Sequence, residues 1–358
     1  MKILHLIQRP QYRGAETFTC QLAKHQKKVG LQVKIACIYS GDASLDWDDE
    51  IINLEGNQYS RFIDFKAWQN LNHLIKGFQP DIIQANAGDT LKYAVFSKKI
   101  FGWETPIVFR NASEVGRYLK STLQKKLNLY LYKNVDRVAS VSHASKKDIL
   151  IHFPFLKNRT SVIPVGLEKK ELSNLIKFKP VSYTHIVHVG GFSFEKNHKG
   201  LLNIFKIIST NGRNVKLHLI GDGPLRKEIE ILVKNEGLIN DVKFYGFVNN
   251  PLDYISAADV LVLPSIIEGL PGVLLEAMYC KTPVVAYDAG GIKEIVNAKT
   301  GALIKQGDAS AFALALTESI DKPNMEQIHN AYNYVTEEFI NSKIADKFLK
   351  LYENILNK

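Results

Sequence analysis

Along the chain, short runs of aliphatic and β-branched residues alternate with stretches in which apolar positions recur every three or four residues. The runs at 2–7, 33–39, 81–85, 106–109 and 137–141 have few polar interruptions, which predicts parallel strands covered on both faces. Helical spacing fills the intervals, for example at 15–29 and 123–133. A second series follows, with strand-like runs at 185–189, 215–220, 242–245, 260–263 and 283–286 and helical stretches at 199–209, 225–235 and 273–280. Strand and helix alternating in this way predict a doubly wound sheet, and the repetition predicts two.

Between the two series, residues 167–182 are polar and Lys-rich, carry Pro180 and lack periodicity, as an interdomain linker does. The expected organisation is a Rossmann-like domain over 1–170, a linker over 171–183, a second Rossmann-like domain over 184–335, and a C-terminal helix over 336–358 that packs back on the first domain. A chain of 358 residues can give each domain its own core. Open α/β sheets bind ligands beyond the carboxyl ends of their strands, and two such sheets facing across a cleft direct attention to the loops after the strands.

Composition narrows the class. With 46% hydrophobic and 23% charged residues, neither disorder nor a fibrous protein is expected. Cys20, Cys37 and Cys280 are odd in number and far apart, so they suggest no disulfide framework and fit a reducing cytosol. The first apolar run is cut by Gln8, Arg9 and Pro10, too soon for a signal-peptide core, and no apolar stretch has the length of a membrane span. The expectation is a cytoplasmic protein, at most peripheral on the inner face of the cell membrane.

The net charge of +10 is unevenly distributed: residues 1–180 hold 28 Lys and Arg against 16 Asp and Glu, and the remainder 18 against 20. The basic half reads either as a solubilising surface or as one that attracts an anionic partner. Lys120, Lys125, Lys126 and Lys133 interleave with Tyr118, Leu119, Leu123, Leu127, Tyr130 and Leu131, the pattern of a helix lying on an anionic membrane surface, although a helix packed on a sheet divides its faces similarly. No nucleic-acid-binding module is visible and the basic residues form no single stripe, so nucleic acid is not an expected partner.

The most informative segment is PSIIEGLPGVLLEAM at 264–278. A strand ends at Pro264, a Gly- and Pro-rich turn follows, and a helix is expected to begin near Pro271. Gly269 and Gly272 allow close backbone approach, and the helix start adds the positive end of a dipole, so the segment suits an anion such as a diphosphate. Glu268 and Glu276 frame it. A carboxylate accepts two hydrogen bonds in one plane and suits the vicinal hydroxyls of a sugar or ribose, although Glu276 could also simply complement the helix dipole.

This segment resembles the Glu-x7-Glu motif of retaining GT-B glycosyltransferases of family 4, the glycosyl transferases group 1. The resemblance extends through RGAE at 13–16, VDRVASVS at 135–142, SVIPVG at 161–166, HVGGFSFEKNHKGLL at 188–202, LIGDGP at 219–224, VKFYGFV at 242–248 and GGIKEIV at 290–296, with Gly301 after it. It implies a GT-B fold and transfer of a sugar, with retention, from a nucleotide-diphosphate sugar such as a UDP- or GDP-sugar to a glycan or lipid-linked acceptor, in cell-surface polysaccharide assembly. By the same resemblance Glu268 faces the donor sugar, Glu276 holds the ribose, and Lys196 neutralises the leaving diphosphate. Backbone amides of Leu270 to Val273 grip sugar and phosphates, which makes Gly269, Leu270, Pro271, Gly272 and Val273 binding positions; Asn197 lies in the phosphate loop, and Gly246, Phe247 and Val248 border the base. Gly14 lets the first loop pass close to phosphate or acceptor, or else serves a tight turn of positive φ.

Two positions depart from the family pattern. An Arg usual in the diphosphate loop is Gly191 here, which leaves Lys196 with the amides of Gly190 and Gly191, or requires another cation; Arg110 and Arg13, expected at strand ends, are candidates. Asn111 stands where many relatives place a His that touches the donor. No DxD motif or His/Cys cluster stands out, and Asp46, Asp48 and Asp49 read as a solvated loop, so neither metal nor other cofactor is expected. Rival readings are a nucleotide-sugar epimerase on the same fold and an inactive nucleotide-sugar-binding partner subunit.

Overall fold

The computed structural model describes residues 1–357 except Arg61, 173–175, 180–181 and Asn211. Pro180 and residues 173–175 of the expected linker therefore lie outside the described residues. The chain divides into two compact units, Met1–Glu168 with Asn341–Lys358, and Lys169–Ile340.

The first unit contains β1 (Lys2–Ile7), α1 (Gly14–Lys28), β2 (Gln32–Cys37), β3 (Ile51–Asn53), α2 (Phe65–Phe78), β4 (Ile82–Ala85), α3 (Gly88–Phe101), β5 (Ile107–Asn111), α4 (Thr122–Lys133), β6 (Arg137–Ser140), α5 (His143–His152) and β7 (Thr160–Val162). Its sheet is ordered β3-β2-β1-β4-β5-β6-β7, with every neighbouring pair parallel. Ile3, Leu4, Ile82, Ile83, Ile107 and Val108 are all buried, as expected when helices cover both faces of a sheet. One core lies beneath α2 and α3 around Trp68, Leu71 and Tyr93, and a second lies on the opposite face around Phe18 and Leu22 of α1.

The second unit contains β8 (Thr184–Val189), α6 (His198–Ser209), β9 (Val215–Ile220), α7 (Arg226–Asn235), β10 (Val242–Gly246), α8 (Pro251–Ser256), β11 (Val260–Leu263), α9 (Gly272–Tyr279), β12 (Val284–Tyr287), β13 (Ala302–Ile304), α10 (Ala309–Asp321) and α11 (Met325–Glu338). Its six strands run in the order β10-β9-β8-β11-β12-β13, again all parallel. The strand order reverses between β8 and β11. Loops leaving the carboxyl ends of these two neighbours emerge side by side, which is where open sheets of this kind bind ligands.

The last helix, α12 (Asn341–Leu356), belongs to the first unit. Ile344, Phe348, Leu351 and Tyr352 are buried against the α1 side of the sheet, each such side chain contributing about 1.5–3 kcal/mol. Polar groups fix its register: His5 Nε2 donates to Gln26 Oε1 at 2.7 Å, Gln26 Nε2 donates to the Tyr352 hydroxyl at 3.3 Å, and that hydroxyl donates to Gln84. Burial pushes the His5 pKa down to about 4, so the ring is neutral at physiological pH.

The acidic run at 46–49 is more than a solvated loop. Lys24 pairs with Asp46 and, at 3.1 Å, with Asp48, and Lys27 pairs with Asp49 at 2.6 Å, tying the run to α1. Among the described residues no helix is long and apolar enough to cross a membrane.

Candidate functional site

The loop after β8 is held against the end of β9. The Gly190 amide donates to the Ile220 carbonyl at 2.9 Å and the Phe192 amide to Asp222 at 3.0 Å. Gly221 has φ +128, and a Cβ there would lie 2.1 Å from the Gly190 oxygen, so only glycine permits this approach. The Gly190 amide is thus already committed, contrary to the expectation that it would serve a phosphate, whereas the Gly191 amide donates to no acceptor among the described residues.

A short turn, Phe194–Lys196, leads to Asn197, whose left-handed backbone (φ 56) caps α6. Asn197 Oδ1 accepts from the Gly200 amide at 3.2 Å and its Nδ2 donates to the Pro264 carbonyl at 3.0 Å. Its amide group is therefore a stitch between the β8 and β11 loops, not the ligand contact expected of it.

That stitch, with the Ile266 amide donating to the Glu195 carbonyl at 2.8 Å, brings together residues 72 positions apart. Lys196 Nζ lies 2.5 Å from Glu268 Oε1, a charge-assisted contact of the strong class. Glu268 is buried, and its loop is braced from behind. Gly290 (φ +54) packs against the Glu268 carbonyl, the Gly291 amide donates to the Gly269 carbonyl at 3.0 Å, and Gln306 Nε2 donates to the Ile266 carbonyl at 2.9 Å.

Pro271 precedes α9 in an extended conformation with no side-chain cap. The amides of Leu270, Gly272 and Val273 donate to no acceptor among the described residues, so the helix start presents donors and a positive dipole end. The side chain of Glu276, one turn into α9, makes no hydrogen bond or ion pair among the described residues. Burial raises its pKa, and Lys170 partly offsets the rise. An uncommitted carboxylate, an ammonium group paired with a second carboxylate, and free amides at a helix start offer the donors and acceptors that a diphosphate flanked by hydroxyls would use.

A model of the glycosyl transferases group 1 matches residues 169–336, and a model of glycosyltransferase family 4 matches residues 12–171. The chain belongs to the family 4, group 1 glycosyltransferases. It is 26% identical over its full length to a Campylobacter jejuni α-1,4-N-acetyl-D-galactosaminyltransferase whose name carries an undecaprenol-diphosphate-linked acceptor, and it covers 99% of that protein. With an uncharacterized Methanocaldococcus jannaschii glycosyltransferase it shares 28% identity over 62% of this chain and 59% of the other. The chain spans 45% to 60% of the length of that protein and two further relatives. The fold matches Anabaena Alr3699/HepE, solved with UDP and glucose, at a TM-score of 0.81 with 20% identity, covering 99% of this chain and 100% of that one. Both units are thus those of a GT-B glycosyltransferase.

Elsewhere in this family 4 chain, the remaining expected site residues are placed as follows. Gly246 (φ +72) ends β10 beside Arg226, followed by exposed Phe247 and half-buried Val248. Arg226, which sequence reasoning did not single out, is clamped by Asp222 at 2.8 Å and Glu230 at 2.7 Å.

In the first unit, Gly14 opens α1 without a positive φ, and a Cβ there meets nothing within 4 Å, so the tight-turn explanation is excluded. Arg13 is the exposed N-cap of α1 and not a strand-end residue. Arg110 does end a strand but is only 2% exposed, with its Cζ 4.4 Å from the Phe18 ring centroid and no hydrogen bond or ion pair among the described residues. Burial lowers its pKa to about 10, with Glu16 opposing the shift. Asn111 is also buried, and its Nδ2 donates to Ser140 Oγ at 3.3 Å and the Ser145 carbonyl at 3.2 Å. Its side chain braces β6 and α5.

His188 and His198 lie beneath the loop after β8 and were not anticipated as site residues. His188 Nδ1 donates to the Val262 carbonyl at 2.9 Å, which fixes the tautomer and leaves Nε2 as an acceptor under Gly190. His198 stacks on Phe192 with ring centroids 4.0 Å apart. Burial pushes the two pKa values down to about 4 and about 2, with further lowering by Lys196. The floor of the loop is neutral, and Lys196 is its cation.

Proposed function

We propose that the protein transfers a sugar from a nucleotide-diphosphate sugar, of the UDP or GDP class, to a glycan or lipid-linked acceptor, with retention and without a metal. The observation that carries this reading is the Lys196–Glu268 pair beside the free amides at the start of α9, with Glu276 uncommitted in the same helix.

When the donor binds, its diphosphate competes with Glu268 for Lys196 and takes up the Leu270, Gly272 and Val273 amides. Negative charge that develops on the leaving diphosphate then meets donors already in position, which is how such sites lower a barrier. Glu268, released from its ion pair, stabilises positive charge at the anomeric carbon. Glu276 accepts hydrogen bonds from the ribose hydroxyls. The acceptor oxygen attacks from the face the phosphate leaves, and the departing phosphate oxygen takes the acceptor proton, so anomeric configuration is kept. Acceptor chemistry is assigned to the first unit, with action at the cytoplasmic face of a membrane in cell-surface polysaccharide assembly.

Thermal-shift measurements with UDP, GDP, ADP and their sugars test the donor assignment, because a ligand that binds only the folded chain raises its melting temperature. One nucleotide class should stabilise the protein, and its sugar more so. No shift with any of them removes the reading, and free sugar or an epimer released without acceptor favours an epimerase.

A further inference from the structure

Lys196 is the one cation of residues 190–197, the loop after β8. Its stem runs past Gly190: a Cβ built on that glycine would lie 3.4 Å from both Cδ and Cε of Lys196, and 3.3 Å from Nε2 of His188. The lysine stem and the ring nitrogen therefore border one small space, which stays open because residue 190 has no side chain.

His188 can offer only a lone pair to that space. Its Nδ1 carries the proton that bonds the Val262 carbonyl at 2.9 Å, so Nε2 is an acceptor. The ring is buried, and Nε2 has no hydrogen-bond partner among the described residues. A buried acceptor without a donor is destabilising, and its presence calls for a partner in another state of the site. The neighbours supply none. The Gly190 amide is bonded to Ile220. His198 stands edge-on to His188 with centroids 4.8 Å apart, is stacked on Phe192, and makes no hydrogen bond through either nitrogen among the described residues. Burial, opposed by the bond to Val262 and reinforced by the Lys196 charge, pushes the His188 pKa down to about 4. The lone pair is therefore available at neutral pH. The donor nearest to it in kind and place is the Lys196 ammonium, whose Nζ is one bond beyond Cε and lies on Glu268 Oε1 at 2.5 Å.

We infer that His188 is a positioning residue for Lys196: when a donor diphosphate displaces Glu268, the ammonium swings over Gly190 and donates one hydrogen bond to His188 Nε2 while its other protons meet phosphate oxygens. An ammonium on a four-carbon stem has three donors and little directional preference of its own. An acceptor beneath it fixes where the remaining donors point. Because the ring is neutral, it holds the cation without competing with the diphosphate for its charge, as Glu268 does. The inference rests on the donor reading proposed above and adds to it a second acceptor for Lys196.

Calorimetric titration of UDP and GDP into the wild-type chain, His188→Asn, Lys196→Met and the double variant tests it. Asparagine keeps a donor where Nδ1 meets Val262 but lacks the far acceptor. His188→Asn should weaken nucleotide binding about ten- to a hundredfold and cost nothing further in the Lys196→Met background. His188→Gln, which places an amide oxygen near the Nε2 position, should recover most of the loss. A histidine with a purely structural role would cost the same in both backgrounds. That result overturns the inference, as does unchanged affinity in His188→Asn or binding by His188→Gln no tighter than by His188→Asn. Should the substituted chains fail to fold, nitrogen NMR spectra of the wild-type histidine side chains decide. Nucleotide should move the unprotonated Nε2 resonance of His188 in the direction of an accepted hydrogen bond, and either no movement or a proton on Nε2 overturns the inference. If neither UDP nor GDP binds the wild-type chain, the donor reading falls and this inference with it; if one binds and the variants show no coupling, the inference falls alone.

Discussion

Lys196 Nζ and Glu268 Oε1, 72 residues apart in sequence, lie 2.5 Å from each other where the loops after two adjacent strands meet. On the proposed reading, Glu268 is an internal counter-ion of Lys196 that a donor diphosphate displaces. Lys196→Ala should therefore reduce kcat/KM by about a hundred- to a thousandfold. Glu268→Gln removes the competitor, so nucleotide-diphosphate affinity should rise while turnover falls. Steady-state kinetics with calorimetric nucleotide binding checks both, and tighter turnover-competent binding in Lys196→Ala would contradict the assignment.

On the proposed reading, Glu276 links stability to donor binding. Its folded pKa is raised above 4.5 by burial. Between 4.5 and the raised value the folded chain holds more protons than the unfolded one, so stability falls as pH rises through that window and stays lower above it. Glu276→Gln should raise the melting temperature at neutral pH and flatten that dependence. It should also weaken donor binding by about tenfold and erase any preference for a ribose over a 2′-deoxyribose nucleotide. Unfolding curves across pH, with UDP and GDP titrations, measure both effects.

Gly290 sets the height of the Glu268 loop. At φ +54, with a Cβ position only 1.8 Å from the Glu268 carbonyl oxygen, an alanine forces the loop outward. Gly290→Ala should lower turnover more than tenfold and reduce stability by about 1–3 kcal/mol. Gly14→Ala, where nothing lies within 4 Å, should leave stability unchanged. Chemical denaturation of the two variants side by side tests the contrast.

Arg110 is a buried guanidinium over Phe18 with no ion pair among the described residues. A buried charge without a hydrogen-bonded partner costs more desolvation than its surroundings return, so an apolar side chain of similar volume is the more stable occupant. Arg110→Met should accordingly unfold at higher denaturant concentration than wild type. Unchanged turnover and donor affinity in both Arg110→Ala and Arg13→Ala would remove these residues from the site.

The alternation of buried strands with amphipathic helices was legible throughout, because parallel strands covered on both faces leave long apolar runs that few other structures produce. The short edge strands β7 and β13 were not, since three residues carry too little periodicity. The strand-to-helix junction within 264–278 was legible from its residues alone, because Gly and Pro punctuate it, and the structure leaves the Leu270, Gly272 and Val273 amides without an acceptor among the described residues. Asn197 and Asn111 misled for one reason. A polar side chain in a motif looks the same whether it contacts a ligand or closes a backbone hydrogen bond, and only the positions of Pro264, Gly200, Ser140 and Ser145 separate the cases.

Local sequence therefore determined the elements, the doubled α/β plan and the chemical character of the α9 loop, all of which depend on neighbours within a few residues. Tertiary structure decided which charges meet. Glu268 reaches Lys196 because β8 and β11 are adjacent in the sheet, the Gly190 amide is consumed by Ile220 because β9 flanks β8, and the Arg110 guanidinium is covered by Phe18 of α1. Strand order is set by packing summed over a whole core, a property no short window of sequence contains.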